Sequence, residues 1–344
     1  MSTIFFEHTP PEPGTVVEPA AVDLSPLAGR RVAVVGYGTM GRAHALNLRR
    51  SGVDVVVGSR PGSVTGKRAR QEGLEVFEPA AAVAAADIVV LMVPDEAMKA
   101  VYEAEVAPNL KPDSVLAFAH GFAVAFDQVV PENGRACFLA APKGQGDMLL
   151  AAHERGGGVP GLLAVTDDSP PETWDLAAAY AKAVGCLAGG GFVTTFRAEC
   201  VSDQFGEQAI LCGGVIELLK AAFDILVEKG YGPENAYFEC VHELKLITDL
   251  LARHGVDGMR GKISGTAAYG GLTRGPRIVD DHVRDRMREV LAEIESGEFA
   301  KEFLREHDRT EELAVDEAQA PLAEQGRRVL PRLESARPTE GDDR

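Results

Sequence analysis

The sequence predicts an α/β protein with a Rossmann-like, doubly wound parallel sheet, followed by an all-α domain. From Arg31 onward, short apolar runs alternate with helical stretches, and this alternation ends near Thr194. The apolar runs are RVAVVG, DVVVG, DIVVLMV, SVLAFA, ACFLAA and GLLAV. Such alternation is typical of a parallel sheet with helices on both faces, and continuous Val, Ile and Leu runs fit strands that are buried on both sides. We therefore expect a nucleotide-binding domain over residues 1–194, with an arm at 1–29.

The second predicted domain, residues 195–330, is made of helices. Apolar positions recur there with a helical period, and Pro233 stands in the first turn of a helix, where proline is tolerated. The helices expected from this pattern cover residues 205–230, 233–253, 280–296 and 299–307. The remaining residues, 331–344, are polar and are expected to fray as a tail.

The composition argues against several classes of partner. A formal charge of −17 over 344 residues disfavours nucleic acid and anionic membrane surfaces. No apolar run is long enough to span a membrane, and no secretory signal pattern opens the sequence. The five cysteines lack CxxC spacing, which is typical of reduced thiols. We therefore expect a cytoplasmic protein.

A glycine-rich motif predicts a dinucleotide site. Residues 36–41 read Gly-Tyr-Gly-Thr-Met-Gly, directly after the strand RVAVV and at the start of a helix. The glycines allow a tight turn and let a pyrophosphate approach the helix N-terminus. A glycine-rich turn without a ligand is the alternative, and the strand–turn–helix context makes it the weaker one.

The end of the second strand favours NADPH over NADH. NAD-binding proteins place an acidic residue there for the ribose hydroxyls, whereas this segment contains Arg60, Ser63 and Thr65 and no acid. A guanidinium can pair with the 2′-phosphate of NADPH, and the two hydroxyls can hydrogen-bond to it. The alternative is that Arg60 is a solvated loop residue.

Two pairs of carboxylates predict a metal site in the helical domain. Asp203 and Glu207 are four residues apart, as are Glu239 and Glu243. Each pair therefore projects from one helix face. Four acids on apolar helices need a neutralising cation, and ligands that are all oxygen point to Mg²⁺ or Mn²⁺ rather than zinc. The alternative is that each pair lies on an ordinary solvated helix face.

Two further polar residues follow predicted strands. His120 comes after SVLAFA, and Lys143 comes after ACFLAA. Both are expected at the carboxyl edge of the sheet, where ligands bind in open α/β folds. Taken alone, a histidine at a strand end is often structural, and a lysine followed by glycine is often a loop charge.

Five segments carry a family resemblance that extends from about residue 24 to 330: GYGTMGRAHALNLRRSGVDVVVGSRPGS, LAFAHGF, APKG, DQFGEQAILCGG and YFECVHELKLITDL. They resemble ketol-acid reductoisomerase in its short form with a single helical domain. The resemblance implies an NADPH- and Mg²⁺-dependent enzyme that rearranges and reduces 2-acetolactate or 2-aceto-2-hydroxybutanoate in branched-chain amino-acid synthesis, of both valine and isoleucine.

The resemblance also implies roles for individual residues. Two Mg²⁺ ions (Mn²⁺ being possible) would be held by Asp203, as the bridging ligand, and by Glu207, Glu239 and Glu243. The reacting centre would contain His120 and Lys143, and Ser264 would contact the substrate carboxylate. Crowding is expected to raise the pKa of Glu207 or Glu243, which would suit that carboxyl to move a proton. The cofactor positions from motif and resemblance are Gly36, Tyr37, Gly38, Thr39, Met40, Gly41, Arg60, Ser63, Thr65, Asp95, Glu96, Ala97, Met98 and Gly146.

The family's helical domain is knotted and pairs tightly with a second copy, so the resemblance implies a homodimer. Glu239, Glu243 and Ser264 would then complete the partner chain's site, and a higher oligomer is possible. The partners implied are thus a small acetohydroxy acid and a second copy of the chain.

The chain departs from the usual family residues near the predicted site. The departures are Met40 for Gln, Arg42 for His, Ala123 for Asn, Ala125 for His, Gln145 for Pro, Asp147 for His, Gly265 for Asn and Ala268 for Glu. One interpretation is a working reductoisomerase with altered supporting residues. Another is a paralogue recruited to a different 2-oxo or 2-hydroxy acid, with small residues opening space. An NADPH-binding partner without turnover and a metal-independent hydroxyacid dehydrogenase are the remaining alternatives.

Overall fold

The computed structural model describes residue 6 and residues 10–336. The chain divides into two compact units between Ser202 and Asp203. The first unit is built around a sheet, and the described part of the second contains helices and no strand. This confirms the predicted Rossmann-like domain followed by a helical one. No helix in the described residues is both long enough and apolar enough to cross a membrane.

The first unit contains the strands β1 (Val16–Val17), β2 (Arg31–Val35), β3 (Asp54–Gly58), β4 (Glu75–Phe77), β5 (Ile88–Leu91), β6 (Val115–Phe118), β7 (Cys137–Pro142), β8 (Gly161–Val165) and β9 (Gly191–Val193). The six predicted strands are present as β2, β3 and β5 to β8. The unpredicted β1, β4 and β9 have only two or three residues each, too few to produce a recognisable pattern.

These strands form one sheet in the order β4-β3-β2-β5-β6-β7-β8-β9-β1. The strands from β4 to β7 in this order are parallel. Because β3 lies on one side of β2 and β5 on the other, the strand order reverses next to β2. Open α/β sheets bind ligands at such a reversal, outside the carboxyl ends of the strands.

One strand direction was predicted wrongly. The run GLLAV, now β8, pairs antiparallel with β7, with Pro142 opposite Gly161. The chain leaves β7 and re-enters β8 at the same edge, where the Lys143 N–H donates to the Pro160 carbonyl at 2.8 Å. A parallel strand would have required a crossover back to the opposite edge of the sheet. The apolar run itself carries no information about strand direction.

The helices of the first unit are α1 (Thr39–Arg50), α2 (Val64–Gln71), α3 (Pro79–Ala85), α4 (Asp95–Val101), α5 (Phe122–Ala125), α6 (Gly146–Glu154) and α7 (Thr173–Val184), and α8 (Phe196–Gly206) begins in this unit. Both faces of the sheet are covered by apolar side chains. Val32 and Val34 of β2 belong to the core that includes α1 and α7, whereas Ala33 and Val35 belong to the core that includes α3. None of these four residues is more than 1% exposed, as expected for a doubly wound sheet.

The second unit contains α9 (Gly214–Glu228), α10 (Pro233–Tyr237), α11 (Glu243–Arg260), α12 (Gly265–Ile278), α13 (Asp281–Ser296), α14 (Glu298–Glu306), α15 (Arg309–Ala318) and α16 (Pro321–Ala336). Two segments, Glu207–Leu211 before α9 and Phe238–His242 before α11, form wider π-helical turns. The predicted helices 205–230 and 233–253 are therefore each interrupted. Such π turns occur frequently at functional sites.

Three helices of the second unit were not predicted, namely α12, α15 and α16. Helix α12 contains Pro276 and several glycines, which are signals for turns rather than for a helix. Residues 331–336, predicted to fray, are the end of α16, and the remainder of that predicted tail lies outside the described residues. Local propensity is a weak guide where packing decides.

Candidate active site

A buried carboxylate organises the carboxyl edge of the sheet. Glu199, in the first turns of α8, is 1% exposed, and its Oε1 lies 2.8 Å from Nζ of Lys143. Its other oxygen, Oε2, lies 3.2 Å from Nδ1 of His120 and accepts the backbone N–H of Gly121 at 2.8 Å. The two predicted strand-end residues are thus held on one acid. A buried carboxylate with two cationic partners and a backbone donor is well satisfied.

The charges in this cluster reinforce one another. Burial alone would lower the pKa of His120, but hydrogen bonds to Cys200 and Glu199 and the negative charge of Glu199 raise it to about 11. Burial alone would raise the pKa of Glu199, yet His120 and Lys143 hold it below its ordinary value. At neutral pH the cluster therefore contains an imidazolium, an ammonium and a carboxylate.

Local sequence explains why these side chains meet. His120 lies two residues beyond the end of β6, and Lys143 lies one residue beyond β7. A Cβ atom on Gly121 would lie 2.3 Å from the carbonyl oxygen of Phe196, so only glycine permits this approach to the start of α8. The Phe196 ring packs edge-to-face on Phe118 at 6.0 Å, which fixes the helix against β6.

Sequence reasoning missed Glu199. The signal was present, because Glu199, Asp203 and Glu207 are spaced four residues apart and share one helix face.

The glycine motif has the geometry that a dinucleotide requires. Gly36 has φ +100°, and a Cβ there would lie 2.5 Å from the Met92 carbonyl oxygen. A Cβ on Gly41 would lie 2.3 Å from the Gly36 carbonyl oxygen. Helix α1 begins at Thr39 after Gly38, and no side chain caps its first amides. Those amides and the helix dipole can therefore bind the anionic pyrophosphate.

A second glycine-containing turn, at Gly146, packs against the glycine motif. A Cβ on Gly146, at the start of α6, would lie 2.4 Å from the carbonyl oxygen of Thr39. The structure thus brings Gly146 next to the glycine motif, as the prediction of a shared cofactor site requires.

The side chains predicted at the cofactor site differ in exposure. Tyr37 is 3% exposed and Met98 is 5% exposed, so both side chains belong to the protein interior. Asp95 and Glu96 lie in the first turn of α4, and burial raises the pKa of the Asp95 carboxyl. Met40 is half-buried at the start of α1.

The segment after β3 contains the residues expected to choose between NADPH and NADH. Ser63 is the N-cap of α2, accepting the Gly66 N–H at 2.9 Å, and it lies 2.7 Å from the Ser59 hydroxyl. Arg60 and Thr65 are exposed, and Arg60 forms no ion pair within the described residues. The guanidinium is therefore uncommitted beside the amino end of a helix.

The four predicted metal ligands all lie next to the π turns of the second unit. Glu207 begins one turn and Glu239 lies within the other, whereas Glu243 begins α11. Asp203, on α8, is half-buried and the three glutamates are exposed. Among the described residues, no group of ligand atoms within 4.8 Å of one another contains both pairs. Carboxylate oxygens are the ligands that Mg²⁺ and Mn²⁺ prefer, so the residue types fit the predicted ions.

Ser264 has a local structural role in this chain. It is the N-cap of α12 and accepts the Ala267 N–H at 3.2 Å. It is also exposed, so the hydroxyl remains accessible.

Comparison with known proteins shows similarity along nearly the whole chain. Residues 26–190 match the family model of the acetohydroxy acid isomeroreductase NADPH-binding domain, and residues 196–334 match that of the ketol-acid reductoisomerase C-terminal domain. Among solved structures, an NADH-preferring ketol-acid reductoisomerase from an uncultured archean is 37% identical, with a TM-score of 0.88. That match covers 92% of this chain and 98% of the other.

Two further solved structures share the fold alone. A semialdehyde dehydrogenase NAD-binding protein from Cupriavidus necator, in complex with calcium and NAD, is 22% identical with a TM-score of 0.58. A 1-pyrroline-5-carboxylate reductase from Streptococcus pyogenes is 13% identical with a TM-score of 0.51. Each match covers 78% of this chain and 98% of the other.

Proposed function

The chain belongs to the ketol-acid reductoisomerase family, and from this premise we propose that it converts 2-acetolactate or 2-aceto-2-hydroxybutanoate to a 2,3-dihydroxy acid. The observation that carries the proposal is the buried Glu199 that holds His120 and Lys143 together at the carboxyl edge of the sheet. This arrangement places two cations where an anionic substrate can be oriented and where charge developing on its oxygens is stabilised. The reaction supplies valine and isoleucine synthesis.

The proposed cofactor is NADPH, which would supply the hydride when bound. In support, the uncapped start of α1 suits the pyrophosphate, and Arg60 with Ser63 and Thr65 suits a 2′-phosphate. The segment after β3 lacks the acid that would hydrogen-bond a free 2′-hydroxyl. The similar archaeal enzyme prefers NADH, and the kinetics of Arg60→Gln with both coenzymes test the preference proposed for this chain.

We propose that two Mg²⁺ ions, or Mn²⁺, are held by the two carboxylate pairs. When bound, the ions would act as Lewis acids on adjacent oxygens of the acetohydroxy acid. In this chain Asp203 and Glu207 would hold the ions, and Glu207 or Glu243 would accept or return a proton. His120 and Lys143, fixed by Glu199, would orient the substrate beside the cofactor.

The proposed active enzyme is a homodimer with shared sites. Support comes from the exposed apolar side chains of the second unit, which include Leu211, Leu218, Ile225, Leu246, Val256, Tyr269, Leu272 and Ile278. Helices α9, α11 and α12 each carry at least two of them. Contiguous exposed apolar surface marks protein–protein interfaces, and a second copy of the chain would cover it. Ser264, just before α12, would serve the partner's substrate.

The five cysteines are all free, which supports the proposal of a cytoplasmic enzyme. The alternative of a recruited paralogue loses one of the four positions on which it was based. Ala123, one of the small residues expected to open space, is 1% exposed and packs in the core under β6. It therefore does not enlarge a pocket.

The deciding assay follows NADPH oxidation with 2-acetolactate and Mg²⁺, beside the same assay with 3-hydroxy-3-methyl-2-oxobutanoate. Turnover of both, abolished by EDTA, is expected for a reductoisomerase. Turnover of the second acid alone would mean that alkyl migration is absent. Activity that survives EDTA would favour a metal-independent dehydrogenase. No NADPH oxidation with either acid would favour a different substrate or a binding protein.

A further inference from the structure

One carboxylate ties the glycine motif to the far end of α2. Glu72, the residue after α2, accepts the Tyr37 hydroxyl at 2.7 Å on Oε2. Its Oε1 accepts Nε of Arg42 at 2.8 Å and lies 2.7 Å from Nη2 of the same residue. The side chains of Arg42 and Glu72 are 18% and 22% exposed. Hydrogen bonds of charged groups in this partly desolvated setting are among the stronger ones.

The backbone of Glu72 is held as well. Nη1 of Arg49, in the last turn of α1, donates to the Glu72 carbonyl at 2.7 Å. Burial and the bond to Glu72 raise the pKa of Tyr37, so its hydroxyl remains a donor at neutral pH. Glu72 is therefore joined to the turn before α1, to the first turn of α1 and to its end.

The same network reaches the second glycine turn. Nη1 of Arg42 lies 3.7 Å from Oδ1 of Asp147, which follows Gly146 in α6. Asp147 is 75% exposed, so this last pair is weak compared with the bonds to Glu72. Arg42 and Asp147 are both positions where the chain departs from the usual family residues, and here they face each other.

These contacts surround the place where the dinucleotide pyrophosphate is expected. Tyr37 stands between Gly36 and Gly38 of the motif, and Gly146 abuts the carbonyl of Thr39. The other end of α2 begins at Ser63, beside Arg60. A shift of Glu72 would therefore change the orientation of the first amide N–H groups of α1 relative to the residues after β3. Binding that depends on several amides at once is sensitive to such shifts.

We propose that Glu72 is a positioning residue for the nicotinamide dinucleotide, acting through Tyr37 and Arg42 to hold the glycine motif in its binding geometry. The inference rests on the proposed function only in requiring a dinucleotide. It does not require the acetohydroxy acid, the metal ions or the dimer.

The test compares Glu72→Gln and Tyr37→Phe with the control Glu75→Gln, which removes a nearby exposed carboxylate in β4. Dissociation constants for NADPH and NADH are measured by isothermal titration calorimetry on the full chain, well below the melting temperature of each variant. We expect Glu72→Gln to raise the dissociation constants by about tenfold and Tyr37→Phe by a few-fold, since the first removes charged hydrogen bonds to two residues and the second removes one hydrogen bond. Glu75→Gln should match the original protein.

Two further measurements distinguish a role in positioning the cofactor site from a role in fold stability alone. Glu72→Asp, which keeps the charge, should recover part of the affinity, and the cofactor KM of Glu72→Gln should rise by a larger factor than kcat falls. If Glu72→Gln and Tyr37→Phe only lower the melting temperature and bind both dinucleotides as the control does, the proposal is wrong. Tyr37→Phe removes a single hydroxyl, so it provides the answer even if Glu72→Gln fails to fold. Because binding is measured without substrate, a failure of the reductoisomerase assay leaves this result interpretable.

Discussion

Oε1 of Glu199 lies 2.8 Å from Nζ of Lys143, although 56 residues separate them in the chain. Their contact makes one buried acid the common partner of both strand-end cations. We expect Glu199→Gln to lower the free energy of unfolding by about 3 kcal/mol, because two cations would lose a buried partner. It should also lower the pKa of His120, which NMR titration of the imidazole would measure. Glu103→Gln, at an exposed position, is the control, and an unchanged His120 titration would contradict the assignment.

The carboxylate arrangement predicts complementation between inactive subunits. Asp203→Asn and Glu239→Gln should each abolish turnover, since each removes an oxygen ligand of the proposed ions. If sites are shared, unfolding and refolding the two proteins together should restore about a quarter of the original activity, because mixed dimers contain one intact site. Separately refolded samples are the control. No recovery in the mixture would place each complete site within one chain.

Arg60 predicts the coenzyme preference. Arg60→Gln should raise the KM for NADPH by about tenfold and leave the KM for NADH nearly unchanged, because only NADPH carries the 2′-phosphate. Arg155→Gln removes another exposed guanidinium elsewhere and should change neither KM. Equal effects of Arg60→Gln on both coenzymes would remove Arg60 from 2′-phosphate recognition.

Gly146 predicts a steric requirement at the second glycine turn. In Gly146→Ala the new Cβ would lie 2.4 Å from the Thr39 carbonyl oxygen, so backbone must move. We expect a loss of about 2 kcal/mol in unfolding free energy, as for overpacking, together with weaker NADPH binding. In Gly157→Ala the nearest atom is 3.4 Å away, which makes it a matched control. Normal NADPH affinity in Gly146→Ala would show that this turn does not shape the cofactor site.

His44 predicts a pH dependence of stability. It is fully buried on α1, its Nδ1 lies 2.8 Å from the Tyr180 hydroxyl, and burial lowers its pKa to about 3. The unfolded chain takes up a proton near pH 6.5 and the folded chain does not. His44 therefore favours folding above that pH and loses this contribution as pH falls toward 3, by up to about 1.4 kcal/mol per pH unit. Urea unfolding between pH 7 and 5 should show the unfolding free energy of the original protein falling relative to that of His44→Gln by up to this slope, whereas a difference that does not change with pH would contradict it.

The sequence alone determined the class of fold and the identity of most polar residues at the site. Long Val-rich runs indicate strands that are buried on both faces, whichever strands they pair with, so six strands were predicted correctly. The glycine motif, His120 and Lys143 were found because their positions follow directly from strand ends. The antiparallel direction of β8 and the glycine-rich helix α12 could not be found this way, since both depend on packing between distant segments.

The tertiary structure decided which side chains act on one another. Glu199 and Glu72 look like ordinary helical acids in the sequence, and only the fold buries the first between His120 and Lys143 and places the second against Tyr37 and Arg42. The physical reason is that a motif records local spacing, whereas the charge state and orientation of a residue depend on partners brought close by the whole chain.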